Sequence, residues 1–193
     1  KNPEQRKDIL AFCESIIKDL KDQRLGEQKI RVYIDDRDIR GGEKTWQNIK
    51  KGVPIRLEIG HRDMAKGNVF MGRRDLSPKD KASISRDDFV KKAESILEEI
   101  QKNIYQKAVS HRDDNTRHIE TLESFQPYFN SDDNQSKGGF AIVDWCEEAI
   151  NHRVLQALKV TPRCIPLDAP KPAGECIFTG KPATHKVIFA KNY

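Results

Sequence analysis

The stretch GVPIRLEIGHRD, residues 52–63, alternates Ile55, Leu57 and Ile59 with Arg56 and Glu58. Side chains two apart on a strand share a face, so the pattern predicts a half-buried strand from about Pro54 to Gly60. Such a strand requires an apolar layer on one side and leaves a row of ionic groups on the other. What that row faces is the question the rest of the sequence has to answer.

The neighbouring segments supply the layers. NPEQRKDILAFCESIIKDLKDQRLG places Ile9, Cys13, Ile16 and Leu20 on one helical face, widened by Leu10 and Ile17. Asn2 suits the cap of that helix, Pro3 its first turn and Gly26 its stop, and Cys13 in the stripe reads as core. KIRVYIDD alternates as a strand, EKTWQNIKKG reads as a short helix, RDMAKG as a turn and NVFMGRRD as another strand. DLSPKDKASIS reads as polar turn. Ser85, with Asp88 three residues on, opens a long helix whose apolar face is Phe89, Ala93, Ile96, Ile100 and Tyr105. NSDDNQSKGG is the linker candidate. FAIVDW, the helical CEEAINHRVLQALKV, the Pro-rich TPRCIPLDAPKPAGE and the strand THKVIFAKNY form a small second module. The expected organisation is an α/β domain over residues 1–85, a long helix and linker over 86–137, and a module over 138–193.

A length of 193 residues accommodates one domain or two small ones, and 36% hydrophobic residues are enough for a core. No run approaches the ~20 apolar residues of a bilayer span, and no signal-peptide pattern opens the chain, so a cytoplasmic protein with no membrane partner is expected. Beginning at Lys1 without Met, the sequence is expected to be a fragment. A net charge of +5 permits a polyanionic partner without demanding one. Cys13, Cys146, Cys164 and Cys176 are scattered and read as reduced thiols.

Arg56 and Glu58 share the outward face; Trp46, Gln47 and Lys51 lie on or next to the preceding helix; Arg62 and Asp63 follow the strand; Arg73 and Arg74 end the next one. A carboxylate accepts from a guanine's ring N–H and amino group, guanidinium donates to O6 and N7, and an aromatic ring stacks on an unpaired base. The same residues also describe an ordinary salt-bridged outer face. No catalytic set stands out. KGG at 137–139 precedes a strand instead of opening a helix, and the five histidines have no nucleophile at motif spacing. A structural zinc site needs four Cys or His ligands, yet Cys146 stands alone and Cys176 is followed by Thr179 where a second thiolate would sit, so metal is not expected.

VYIDDRDIRGGEKTWQNIKKGVPIRLEIGHRDM, RRD, WCEEAI, TPRCIPLD, GECIFTGKPA and the ending KVIFAKNY occur in that order. Together they resemble the prolyl-tRNA synthetases, in their archaeal and eukaryote-like form, over nearly the whole chain. The resemblance implies a class II synthetase anticodon-binding domain, a mixed sheet flanked by helices, followed by a small α+β C-terminal domain that in this family often holds zinc. The family's catalytic core precedes these domains, and its class II motifs have no counterpart in these residues. The parent enzyme, a homodimer, would attach proline to tRNA(Pro) with ATP and magnesium, while this chain would be inactive alone and would check an anticodon ending in two guanines. Arg56 and Glu58 are then expected at the base edges, with Lys51, Arg62, Arg73 and Arg74 on base or phosphate, and Trp46 and Gln47 on a helix whose local pattern departs from the family's.

Three further departures carry expectations. His61 replaces the proline of GPRD, which loosens that turn. One cysteine remains of each zinc pair, so the C-terminal domain should fold without metal. The family's domain also opens with a strand upstream of the first helix, and its absence would leave unpaired backbone and an uncovered core. FAKNY matches the family's ending, which places Tyr193 at the tail that approaches the catalytic domain. A freestanding anticodon-like accessory or regulatory module is the competing reading, and a metal-dependent enzyme built on the scattered His and Cys residues ranks last.

Overall fold

A computed structural model describes residues 3–130, 139–172 and 174–192. The chain divides into two compact units, residues 1–107 and 108–193. The linker candidate falls almost wholly outside the described residues, as do Asn2 and Tyr193.

In the first unit, α1 (Pro3–Leu20) is followed by a two-residue hairpin of β1 (Arg24–Leu25) and β2 (Gln28–Lys29), then α2 (Gly41–Lys50), β3 (Ile55–Glu58), α3 (His61–Ala65), β4 (Asn68–Arg73), β5 (Lys81–Ser85) and α4 (Arg86–Asp114). The opening helix is shorter than expected because Gly26, at φ +58°, turns the hairpin instead of ending the helix. β3, β4 and β5 form an antiparallel sheet in which Arg56 faces Gly72, Glu58 faces Phe70 and Gly72 faces Lys81. The inward parity buries Val69 and Met71 against Ile16 and Leu20 of α1 and Phe89, Ala93, Ile96 and Ile100 of α4. Ser85 caps α4 as expected, its Oγ accepting from the Asp88 N–H at 3.1 Å. Tyr105, expected on the buried face, is exposed; the 3–4 spacing continues through Ile104 instead.

KASIS forms β5, where a turn was expected. KIRVYIDD forms no ladder beyond Lys29, although its alternation is strand-like. Alternation specifies faces but not a neighbour, and among the described residues no strand lies beside it or beside the free edge of β3. The result is a cleft of about 1630 Å³ walled by Ile9, Leu10, Cys13 and Ile17 of α1, residues 31–38, Ile49 and β3.

The second unit takes in the end of α4, then β6 (Thr116–His118), α5 (Leu122–Asn130), β7 (Phe140–Trp145), a 3₁₀ turn (Glu147–Ala149), α6 (Arg153–Leu158), β8 (Val160–Cys164) and β9 (His185–Lys191). Its mixed sheet has the order β6-β7-β9-β8, with β6 parallel to β7 and the other pairs antiparallel. CEEAINHRVLQALKV, expected as one helix, breaks into the 3₁₀ turn and α6. β8 was read as irregular because of Pro162, which an edge strand tolerates. Phe125, Phe129, Phe178 and Phe189 form the centre of the core, with ring centroids 4.9–5.9 Å apart among the pairs involving Phe125.

Candidate nucleic-acid interface

The register assembles the site. Outward parity puts Arg56 and Glu58 of β3, Phe70 and Gly72 of β4, and Lys81 of β5 on the same face. Gly72 makes room for Arg56: a Cβ there would lie 3.2 Å from the Arg56 Nη2, so the bare backbone lets the guanidinium lie over β4. Arg56 makes one long contact, Nη1 donating to the Val53 carbonyl at 3.4 Å, and its buried Nε has no partner among the described residues.

Glu58 is held from one side. The Lys81 Nζ donates to its Oε1 at 2.6 Å and the Thr45 hydroxyl donates to the same oxygen at 2.9 Å. Its Oε2 has no hydrogen-bond partner among the described residues and remains an acceptor at a half-exposed carboxylate. Lys81 also lies 5.8 Å over the Phe70 ring, which is itself exposed at the surface. Arg56 and Glu58 are neither sealed inside nor paired with each other, and both line the cleft with Trp46, Phe70 and Lys81. The arrangement pairs a carboxylate acceptor with a guanidinium donor beside an aromatic ring, the groups that recognise an unstacked base.

The remaining expected residues separate into groups. Trp46 is 55% exposed, with Lys50 Nζ 5.7 Å over its ring, and Gln47 lies on the same flank of α2. Lys51, Arg62 and Arg74 are exposed cations; Arg74 packs against Gly52, its Nη1 reaching the Gly52 carbonyl at 3.4 Å. Arg73 goes elsewhere. It has the parity of Val69 and Met71, so it leaves the sheet on the inner face and is bound by Asp75 at 3.0 and 2.7 Å and by Glu99 at 2.8 Å. Asp63 is spent locally, accepting from the Gly60 N–H at 3.0 Å to start α3, the helical turn that replaces the expected RDMAKG turn.

Phe70 and Lys81 were not singled out by the sequence reading. The alternation of NVFMGR did mark Phe70 as outward, whereas Lys81 became visible only with the strand β5.

The zinc positions of the second unit give a clear chemical test. Cys146 and Cys176 are buried, and the Cys146 Sγ lies 3.3 Å from the Thr179 Oγ1. No third His, Cys, Asp or Glu joins them as a metal-ligating group among the described residues. Burial raises the Cys176 pKa, but hydrogen bonds from Thr179 and from the backbone of Phe178, Cys146 and Thr179 outweigh it and lower the thiol overall. Two thiols and a neutral hydroxyl do not fit the four-ligand zinc site.

A family model described as Anticodon binding domain matches residues 2–96. The first unit is thus an anticodon-binding domain. A second model, Prolyl-tRNA synthetase, C-terminal, matches residues 132–193. The chain is 50% identical over its whole length to the proline–tRNA ligase of Bdellovibrio bacteriovorus, 43% identical over 99% of its length to that of Protochlamydia amoebophila, and 40% identical over 99% to the proline–tRNA ligase 2 of Anaeromyxobacter dehalogenans. It spans 38%, 38% and 39% of those bacterial proteins. The chain is built from the anticodon-binding and C-terminal domains of the proline–tRNA ligases and belongs with that family. No helix among the described residues is long and apolar enough to cross a membrane.

Proposed function

We propose that the outer face of β3–β4–β5 reads the guanines of the tRNA(Pro) anticodon, on behalf of a catalytic portion that attaches proline to that tRNA with ATP and magnesium. The observation that carries this reading is the open Glu58 Oε2 and the unspent Arg56 donors flanking the exposed Phe70 ring. Lys51, Arg62 and Arg74 supply phosphate contacts, Trp46 and Gln47 a flank for the loop. Binding of a proline anticodon stem-loop should therefore be weak and salt-dependent. With three phosphates neutralised, the logarithm of affinity should fall with the logarithm of salt at a slope of about −2. A salt-independent isotherm contradicts the proposal.

The motif series through KVIFAKNY supports assignment to the archaeal and eukaryote-like form, with a homodimeric, cytoplasmic parent enzyme. Within the second unit, the apolar core takes over the role of the lost zinc ligands. Metal analysis of purified protein should find far less than one zinc per chain; one full equivalent contradicts this.

The apolar cleft also has a natural occupant: a strand immediately upstream of α1, laid between β3 and residues 31–36, which would satisfy both free edges and cover Ile9, Cys13 and Ile17. Extending the chain by the residues that precede it in its own reading frame should raise stability by 1 kcal/mol or more, roughly 4 °C in Tm. An unchanged melting temperature contradicts the strand.

A further inference from the structure

Beyond the sheet face, the guanidinium of Arg37 is held by three hydrogen bonds. Arg37 follows KIRVYIDD and lines the same cleft as Trp46. Its Nε and Nη2 donate to the two carboxylate oxygens of Asp35, each at 2.7 Å, and its Nη1 donates to the Gln47 Oε1 at 2.9 Å. Gln47 is itself oriented, its Nε2 donating to the Glu43 Oε1 at 3.0 Å, which turns its carbonyl toward Arg37. Asp35 is fixed in turn by Asn48, whose Nδ2 donates to Oδ2 at 3.3 Å. The hydrogen bond from Arg37 above all holds the Asp35 carboxyl well below the usual carboxylate range, so the clamp stays ionised.

The donor count is what matters. A guanidinium carries five N–H groups, and these bonds spend three of them, leaving one on each terminal nitrogen. The side chain is 47% exposed. Glu43, Trp46, Gln47 and Lys50 follow the i, i+3, i+4, i+7 spacing of one helical face, so Gln47 ties the Arg37 fork to the face that carries the exposed indole. An exposed ion pair contributes little to stability, whereas a guanidinium fixed by three bonds before its ligand arrives loses little freedom on binding.

We propose that Arg37 is a further RNA-recognition residue, held by Asp35 and Gln47 so that its remaining N–H groups meet an acceptor of the anticodon loop, either a phosphate oxygen or the O6/N7 edge of a guanine. The inference rests on the anticodon reading and deepens it.

The test measures binding of a proline anticodon stem-loop to the native chain, Arg37→Gln and Arg37→Lys, with thermal unfolding of each. Both variants should bind roughly tenfold more weakly while melting within a few degrees of the native chain, because lysine supplies charge without the fork. If the acceptor is a guanine, the loss shrinks on a loop carrying 7-deazaguanosine, which lacks N7. If it is a phosphate, the loss is equal on every loop and the salt slope of Arg37→Gln, which removes the charge, is shallower by about 0.7. Native-like binding by both variants, with the native chain binding measurably, overturns the Arg37 assignment alone. No binding by the native chain overturns the anticodon reading, and this inference with it.

Discussion

Replacing Asp75 by alanine is expected to cost about 3–5 kcal/mol, because it strips the largely buried Arg73 guanidinium of its bidentate partner rather than removing one surface pair. The Asp75 side chain is 0% exposed and accepts from Arg73 at 3.0 and 2.7 Å and from Asn103 at 2.8 Å, while Lys107 donates to its backbone carbonyl at 2.5 Å. These bonds tie the end of β4 to α4, so urea denaturation should show a lower midpoint. The hydrogen bond from Arg73 leads the groups that lower the Asp75 pKa to about 2. The sign follows from that depression: the contribution is fully present above the unfolded value near ~4 and is lost as pH falls through about 2. Asp75→Asn should flatten the stability profile across that window. Identical profiles for native and variant protein would show that the carboxylate is not the tie. The same network explains why Arg73 belongs to the scaffold rather than to the sheet's outer face.

The second large effect is expected at Phe189. It is fully buried, its ring 5.9 Å from Phe125, 5.7 Å from Phe178 and 6.4 Å from Trp145. Phe189→Ala should destabilise the second unit by about 3–5 kcal/mol through lost burial and a cavity that the surrounding rings cannot refill. A chelator should leave the native unfolding midpoint unchanged. Unfolding that responds strongly to chelator but weakly to Phe189→Ala would return the domain to metal.

Strand faces are legible in the sequence, whereas strand pairing is not. The alternation of Ile55, Leu57 and Ile59 with Arg56 and Glu58 was legible because faces are a local property, and so was the buried stripe Phe89, Ala93, Ile96 and Ile100 of α4. KASIS was missed because two apolar residues, Ala82 and Ile84, carry too little pattern to outweigh the turn residues before them. Lys81 therefore vanished with its strand. KIRVYIDD has the converse problem: its local pattern is right for a strand, yet a ladder needs a neighbour. Arg73 was decidable by counting. It shares the parity of Val69 and Met71, which already placed it opposite Arg56 and Glu58. What sequence did not hold was the register that sets Gly72 beneath Arg56 and Phe70 beside Glu58, since cross-strand pairing is a long-range property.

The central claim is that the outward ionic groups of β3 distinguish bases. Its most direct measurement compares binding of the native chain and Glu58→Ala to a proline anticodon stem-loop and to the same loop with inosine replacing each guanine in turn. Inosine lacks the amino group that a carboxylate accepts from. The account predicts that one replacement costs the native chain about 1–3 kcal/mol and costs Glu58→Ala far less. Equal affinity of the native chain for every loop would contradict it.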